Sequence, residues 1–233
     1  PDRVPAGSFY AGAANSWEAS AEVYYRDLQN QIDFISGAEV LLNRNLEGDM
    51  LFGTGRAYGS EIFIRKNTGR LNGWLSYTLS RTDRKINGIN NNEYFPARYD
   101  KTHALSLVGI YEWKPRILLS ATFSYATGTP ATFPNGRFDF DGFPVQYNSS
   151  NSRNSFRQPA YQRLDISATF KGKSIPGRKY HSESVVGLYN TLGRKNPYSI
   201  YFRQNEDVHQ QTEAVRYSVI GTVIPSVTWN FNF

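Results

Sequence analysis

The sequence predicts an all-β chain forming the wall of a transmembrane antiparallel β-barrel. Three observations point there. Apolar and polar residues alternate over long stretches, the connections take turns between short and long, and aromatic residues make up 15% of the 233 positions. A membrane barrel hides its lipid face in every second residue, so its strands carry no continuous apolar run.

About eight strands are expected, in the order 17–28, 56–66, 71–80, 103–113, 117–126, 163–170, 182–203 and 215–233. In the third, Leu71, Gly73, Leu75, Tyr77 and Leu79 alternate with Asn72, Trp74, Ser76, Thr78 and Ser80. In the fifth, Ile117, Leu119, Ala121, Phe123 and Tyr125 alternate with Leu118, Ser120, Thr122, Ser124 and Ala126. The sixth sets Leu164, Ile166, Ala168 and Phe170 against Arg163, Asp165, Ser167 and Thr169. The first, second, fourth and seventh show the pattern more weakly. The last shows it longest, with Val215, Tyr217, Val219, Gly221, Val223, Pro225, Val227, Trp229, Phe231 and Phe233 on one parity. A period of two over such a length is a strand signature, not a helical one. Nineteen residues at about 3.3 Å each span roughly 60 Å, so this strand is expected to project beyond a hydrocarbon core about 30 Å thick. Pro225, which donates no ladder hydrogen bond, is expected to mark a bulge.

Between the strands, Asn67–Arg70 and Trp113–Arg116 read as tight turns, and 172–181 as a moderate link. The intervening segments 29–55, 83–102, 128–160 and 204–214 are long and polar. Short turns on one rim and long loops on the other match outer-membrane barrels, whose short turns are periplasmic and long loops extracellular.

Composition excludes other classes. No stretch approaches the roughly 20 apolar residues of a spanning helix. Cysteine is absent, which removes disulfides and thiolate metal sites. The net charge is +6, but Lys and Arg are scattered, with pairs such as Arg65-Lys66 and Arg194-Lys195 near strand ends. Attraction to anionic lipid head groups explains this better than nucleic acid does. The sequence opens at Pro1 with no basic or apolar leader, so either a signal has been removed or a longer protein precedes it.

The face opposite the apolar one is small in the middle strands: Ser76, Thr78, Ala104, Ser106, Ser120, Thr122, Ser124, Ser167 and Thr169. Side chains of this size cannot fill a closed eight-stranded lumen. The expected architecture is therefore a sector of a larger barrel, whose first and last strands do not pair. The strand near Ser20–Asp27 should then find its outer neighbour outside this sequence. Glu22, Arg26, Glu61, Arg65, Arg163, Asp165 and Arg216 are expected to face the lumen, and Leu75, Tyr77, Leu119, Phe123, Val219 and Val223 to face lipid.

Several stretches carry a resemblance. They are Ser20–Arg26, Gly53–Glu61, Gly73–Ser80, Phe95–His103 (Phe-Pro-Ala-Arg-Tyr-Asp-Lys-Thr-His), Tyr125–Pro130, Tyr189–Pro197 and Ile224–Phe233. In this order they resemble the C-terminal third of a TonB-dependent receptor of the type with a carboxypeptidase-regulatory-like N-terminal domain. The resemblance covers nearly the whole chain. It implies that residues 1–233 are the C-terminal portion of a roughly 22-stranded outer-membrane barrel. The plug domain and TonB box are not in this sequence. The implied function is import of a scarce ligand into the periplasm, at the bacterial outer membrane, with no enzymatic activity and no cofactor. The implied partners are the rest of the barrel and its plug, TonB through the missing N-terminal region, the barrel-assembly machinery, outer-membrane lipid and lipopolysaccharide, and a surface lipoprotein or larger complex. Two other functions stay open: a structural subunit of an outer-membrane complex, and a free-standing small barrel adhesin.

Candidate sites follow. Trp229, Phe231 and Phe233 resemble the C-terminal signal read by the barrel-assembly machinery, and they also suit an aromatic girdle. Phe133, Phe138, Phe140, Phe143 and Tyr147 lie in the longest loop; exposed aromatics there either contact ligand or a surface partner, or pack the loops together. Gly53-x-Gly55-x-x-x-Gly59 lacks a dinucleotide-binding spacing and is read as flexible backbone at a loop-to-strand junction. Asp139-x-Asp141-Gly142 lacks the downstream Glu of a calcium loop and is read as Asx turns beside a glycine. His103, His181 and His209 have no ligand spacing, and His103 is expected to make a structural hydrogen bond at a strand start.

Overall fold

The structure, a computed structural model, describes residues 6–11, 16–36, 38, 46–141, 143–147, 151–173, 181–204 and 212–232. Sixteen strands follow in order: β1 (Ala6–Ala11), β2 (Trp17–Phe34), β3 (Met50–Lys66), β4 (Leu71–Ile86), β5 (Phe95–Pro96), β6 (His103–Lys114), β7 (Ile117–Ala126), β8 (Pro130–Ala131), β9 (Gly136–Phe140), β10 (Phe143–Tyr147), β11 (Phe156–Arg157), β12 (Tyr161–Lys171), β13 (His181–Tyr189), β14 (Ser199–Gln204), β15 (Thr212–Tyr217) and β16 (Ile224–Asn232). Two short 3-10 turns, Leu46–Asp49 and Asn90–Asn92, are the only helical pieces among the described residues.

One antiparallel sheet dominates, in the order β1-β2-β3-β4-β6-β7-β12-β13-β16, with β5 added along β4. Each strand pairs with the next wall strand in the chain, which is the meander expected of an up-and-down barrel wall. The register shows why alternation matters. On one face Ile64, Leu75, Leu107, Phe123 and Leu164 stand in a row across five strands. On the other, Ser76, Ser106, Ser124 and Arg163 stand in a row across four. A slip of one residue in any pair would put serine among leucines, so the pattern pins the register.

The apolar face is largely exposed: Val23, Ile62, Leu71, Leu107, Trp113, Phe170, Val186 and Val227 all present large surfaces. Among the described residues the only cluster of fully buried hydrophobics is small, comprising Ile86, Ile89 and Phe95 with Leu51 packed against it. A sheet with so little interior and so much outward apolar surface fits a lipid solvent, not water.

Several expectations need correction. The strand near Ser20–Asp27 has its outer neighbour within this chain: β1 pairs with β2 from Ala6↔Tyr24 to Ala11↔Ala19. Among the described residues β1 and β16 lie at opposite ends of the sheet and do not pair. The region 182–203 holds two strands, β13 and β14, rather than one. The closing strand does not run unbroken. Residues 212–217 pair back onto β14 as a separate hairpin, residues 218–223 are irregular, and only Ile224–Asn232 joins the wall. Within the irregular segment Gly221 packs against the Lys195 side chain, where an added Cβ would lie 2.8 Å from Cγ. Arg216 accordingly sits opposite Ile200 in the hairpin rather than in the wall. Val219 lines a small cavity with Arg163 and Tyr189, on the polar side of the sheet, so it does not face lipid. Pro225 causes no bulge and pairs in register with Leu188, as an edge strand permits. The bulge occurs instead in β2, between Leu28 and Gln31.

The tall strands are also elsewhere. β2, β3 and β4 run for 18, 17 and 16 residues, while β16 has nine. Gly53, Gly55 and Gly59 lie inside β3, not at a flexible junction. A Cβ on Gly53 would stand 2.0 Å from the Lys85 carbonyl oxygen, and one on Gly59 2.5 Å from that of Leu79. These glycines serve close backbone approach.

Candidate functional site

The small, polar face of the wall leads up to a cavity at the rim where the long connections gather. Its volume is about 710 Å³. The end of β2 contributes Asp33 and Phe34, β4 contributes Arg84, and the segment after β5 contributes Arg98. The connection from β7 to β12 supplies Thr132, Phe133, Arg153 and Asn154, and the β14 region supplies Tyr198 and Phe202.

The walls of this cavity are held by side chains bonding to distant backbone. Arg153 pairs with Asp33 at 3.0 Å and donates to the Phe34 carbonyl, also at 3.0 Å. Its own amide donates to Asn90 Oδ1 at 3.0 Å, and Asn90 Nδ2 donates back to the Arg153 carbonyl at 3.1 Å. Asn90, Asn91 and Asn92 hold φ of 48°, 54° and 61°, a left-handed run that asparagine tolerates better than most residues. Asn154, buried and with φ 55°, donates through Nδ2 to the Pro96 carbonyl at 2.9 Å. Phe133 stacks on Phe156 at 3.9 Å and meets Phe202 edge-on at 4.7 Å, which brings the β14–β15 hairpin against the loop. Loops with unpaired backbone do not pack over a lumen; these connections are closed by their polar side chains.

The stretch Phe95–His103 supplies much of this. Phe95 is core and Ala97 is buried. Arg98 is exposed toward the cavity, and Tyr99 stands 5.5 Å beneath the Arg84 guanidinium. Asp100 is buried, accepts the Thr82 amide at 2.7 Å and pairs with Arg157 at 2.6 Å. Arg157 also donates to the Gly128 carbonyl at 3.0 Å. His103 Nδ1 lies 2.8 Å from the Tyr77 hydroxyl, which is the structural hydrogen bond expected there. A second polar knot joins β12 to the end of β13. Arg163 pairs with Asp165 at 3.0 Å and donates to the Tyr189 hydroxyl at 2.7 Å, while Asp165 accepts the amide of buried Asn190 at 2.9 Å.

The sequence-picked aromatics separate into two groups. Phe133 lines the cavity. Phe138, Phe140 and Tyr147 stand exposed on the β9–β10 hairpin, where Phe143 sits opposite Phe140 in register. Asp141 turns this hairpin at φ 51°, a left-handed conformation that aspartate tolerates better than most residues, and no metal-holding group of acids and histidines occurs among the described residues. Trp229 and Phe231 project from the apolar face of β16, their rings stacked at 5.7 Å. Phe233 and His209 lie outside the described residues. Sequence reasoning missed Arg84, Arg153 and Asn154. Their signal is positional rather than periodic, because a loop arginine has no pattern that tells which backbone it will reach.

An antiparallel meander with one lipid-suited face, one polar face and its loops gathered at a single rim defines the wall of an outer-membrane type of barrel. Residues 8–190 match the family model described as TonB dependent receptor-like, beta-barrel. The chain belongs to this family of outer-membrane receptors, which is a transporter family and not an enzyme family. No curated protein matches the chain.

Proposed function

We propose that this chain walls the outer part of a TonB-dependent receptor that imports a scarce ligand into the periplasm, with the long connections extracellular. The observation that carries the reading is the rim cavity. It opens on the lumen side above a wall of Ser, Thr and Ala, and it offers Arg84 and Arg98 beside Phe34, Phe133, Tyr198 and Phe202. Asp33 is already engaged by Arg153. Such a lining suits a ligand that joins an anionic group to an apolar or ring-shaped body. In this reading the plug, the TonB box and a carboxypeptidase-regulatory-like domain belong to the N-terminal part of the full protein. Trp229, Phe231 and Phe233 guide assembly, and the exposed Phe138, Phe140 and Tyr147 receive the ligand or a surface lipoprotein. The separation of β1 from β16 favours a sector of a large barrel over a small adhesin.

The test uses the full-length receptor in its host. Spent growth medium is profiled by mass spectrometry for three strains: wild type, a TonB-box deletion, and Arg84→Ala/Arg98→Ala. Import requires one anionic compound to be depleted by wild type and spared by both variants. Identical depletion in all three rejects import and leaves the structural-subunit reading.

A further inference from the structure

The outward face of β2–β4 changes character in steps. Register places Ala21, Ile62 and Tyr77 in one row, then Val23, Ser60 and Leu79, then Tyr25, Tyr58 and Arg81, then Asp27, Arg56 and Asp83. From Leu71 at the short-turn rim to Leu79 is nine residues of β4, close to the roughly 9–11 that cross a hydrocarbon core. The tyrosine row therefore falls at the interface and the arginine row among the head groups of the leaflet on the loop side.

At this boundary lies a groove of about 780 Å³. Val23, Tyr58 and Leu79 wall it, small Ser60 leaves it deep, and Arg56 and Arg81 close its upper end. Both guanidiniums hold the buried Asp83, at 3.3 and 2.9 Å. Their pairing with one carboxylate fixes them in place, while each keeps a substantial part of its surface open. Arg56 is further braced 4.3 Å over the Tyr94 ring, and exposed Lys85 stands on the same face two residues beyond Asp83. The acids on this face are Asp27 and the buried Asp83; Asp100, which also acts on Arg81, is buried and paired with Arg157, so three cations on the face meet two carboxylates there.

We propose that this groove binds a phosphorylated glycolipid of the outer leaflet, with an acyl chain along Val23, Ser60 and Leu79 and a phosphate on Arg56 and Arg81. An apolar slot ending in two oriented guanidiniums matches a lipid that carries its charge at the head of its chains. The inference rests on the outward orientation of the loops given under Proposed function.

The experiment purifies the full-length receptor in mild detergent and measures retention of bisphosphorylated lipid A by native mass spectrometry, with dephosphorylated lipid A as the comparison. Two variants are read. Arg56→Gln/Arg81→Gln/Asp83→Asn removes the charges together, so no buried carboxylate is stranded. Ser60→Phe fills the slot and leaves every charge. The triple variant should lose about tenfold in retention of the phosphorylated lipid, on the scale of one to two interfacial cations, and little for the dephosphorylated one. Ser60→Phe should weaken both. Equal binding of the two lipids by wild type, wild-type behaviour of both variants, or complete displacement by inorganic phosphate overturns the proposal. Fractionation separates the two readings: a receptor absent from the outer membrane refutes the orientation itself, whereas one present there without lipid preference refutes only the groove.

Discussion

Strands β2, β3 and β4 run for 18, 17 and 16 residues, whereas β6, β7, β12, β13 and β16 run for 12, 10, 11, 9 and 9. In the first region the wall itself rises past the membrane, and backbone ladders carry the structure outward. The small core of Ile86, Ile89 and Phe95 caps it. In the second the strands stop near the membrane surface, and the connections fold back over the lumen. There the cohesion comes from single side chains reaching across: Arg157 to Asp100, Arg153 to Asp33 and Phe34, Asn154 to Pro96. A ladder spreads its energy over many modest bonds. A side-chain tie concentrates it in a few buried charged groups, whose loss is expensive. The receptor's rim is thus built in two ways, and substitutions should tell them apart.

The largest effect is expected at Asp100→Ala. The carboxylate is buried and serves both a backbone amide of β4 and the Arg157 guanidinium. Removing it strands both donors and should cost about 3–5 kcal/mol, read by denaturant unfolding of the full receptor in micelles. Limited proteolysis should show new cleavage in residues 128–160. Unchanged cleavage would mean that the loop is held by other ties.

Next come the two faces of the wall. Leu107→Arg places a guanidinium at mid-height on the apolar face, where about 2–4 kcal/mol is lost near the bilayer centre. Ser106→Arg, its neighbour on the polar face, should change folding into bilayers by less than about 0.5 kcal/mol. Equal costs would put both faces in the same solvent and sink the assignment of lipid and lumen. In the tall region Ile86→Ala empties part of a core in which Ile86 is 0% exposed, and should cost about 2–3 kcal/mol. Because β3 and β4 remain paired through fourteen residue pairs, from Gly53↔Ile86 to Lys66↔Gly73, this loss should leave the strand register intact. Amide exchange along β3 would test that, and fast exchange from Gly53 to Tyr58 would show that the core, not the ladder, holds the extension.

Much of the wall was legible in the sequence, because side-chain alternation and strand pairing share one period. Phe123 and Leu164 could be placed on the apolar parity of their strands from the sequence alone, and the structure sets them side by side. The same signal misled at residues 215–233. Val215 and Tyr217 alternate because they belong to the β14–β15 hairpin, and the parity continues through Val219 and Val223 although residues 218–223 form no strand. β1 was missed because Ala6–Ala11 is short and rich in small residues, so its alternation has little contrast. The rim cavity was legible only through Phe133. Arg84, Arg153 and Asn154 are brought together from positions up to 70 residues apart, by loop geometry that no local pattern encodes.

The smallest effects concern the loop aromatics, where the two uses left open by the sequence can be separated. Phe133 touches both Phe156 and Phe202, so Phe133→Ala removes two ring contacts and should cost about 1–3 kcal/mol. Phe140 is 69% exposed on the β9–β10 hairpin, and Phe140→Ala should shift stability by less than about 0.5 kcal/mol. The first residue then belongs to loop packing. The second has no folding reason for its exposed ring, and a large apolar side chain facing water is most simply explained by something that covers it. Cross-linking decides the matter: a photoreactive residue at position 140 of the full receptor, in intact cells, should capture a surface protein or the transported ligand, while one at position 133 should capture only the receptor's own loops. If position 140 also yields only internal cross-links, the hairpin folds onto its neighbours in the cell, and its aromatics join Phe133 as packing.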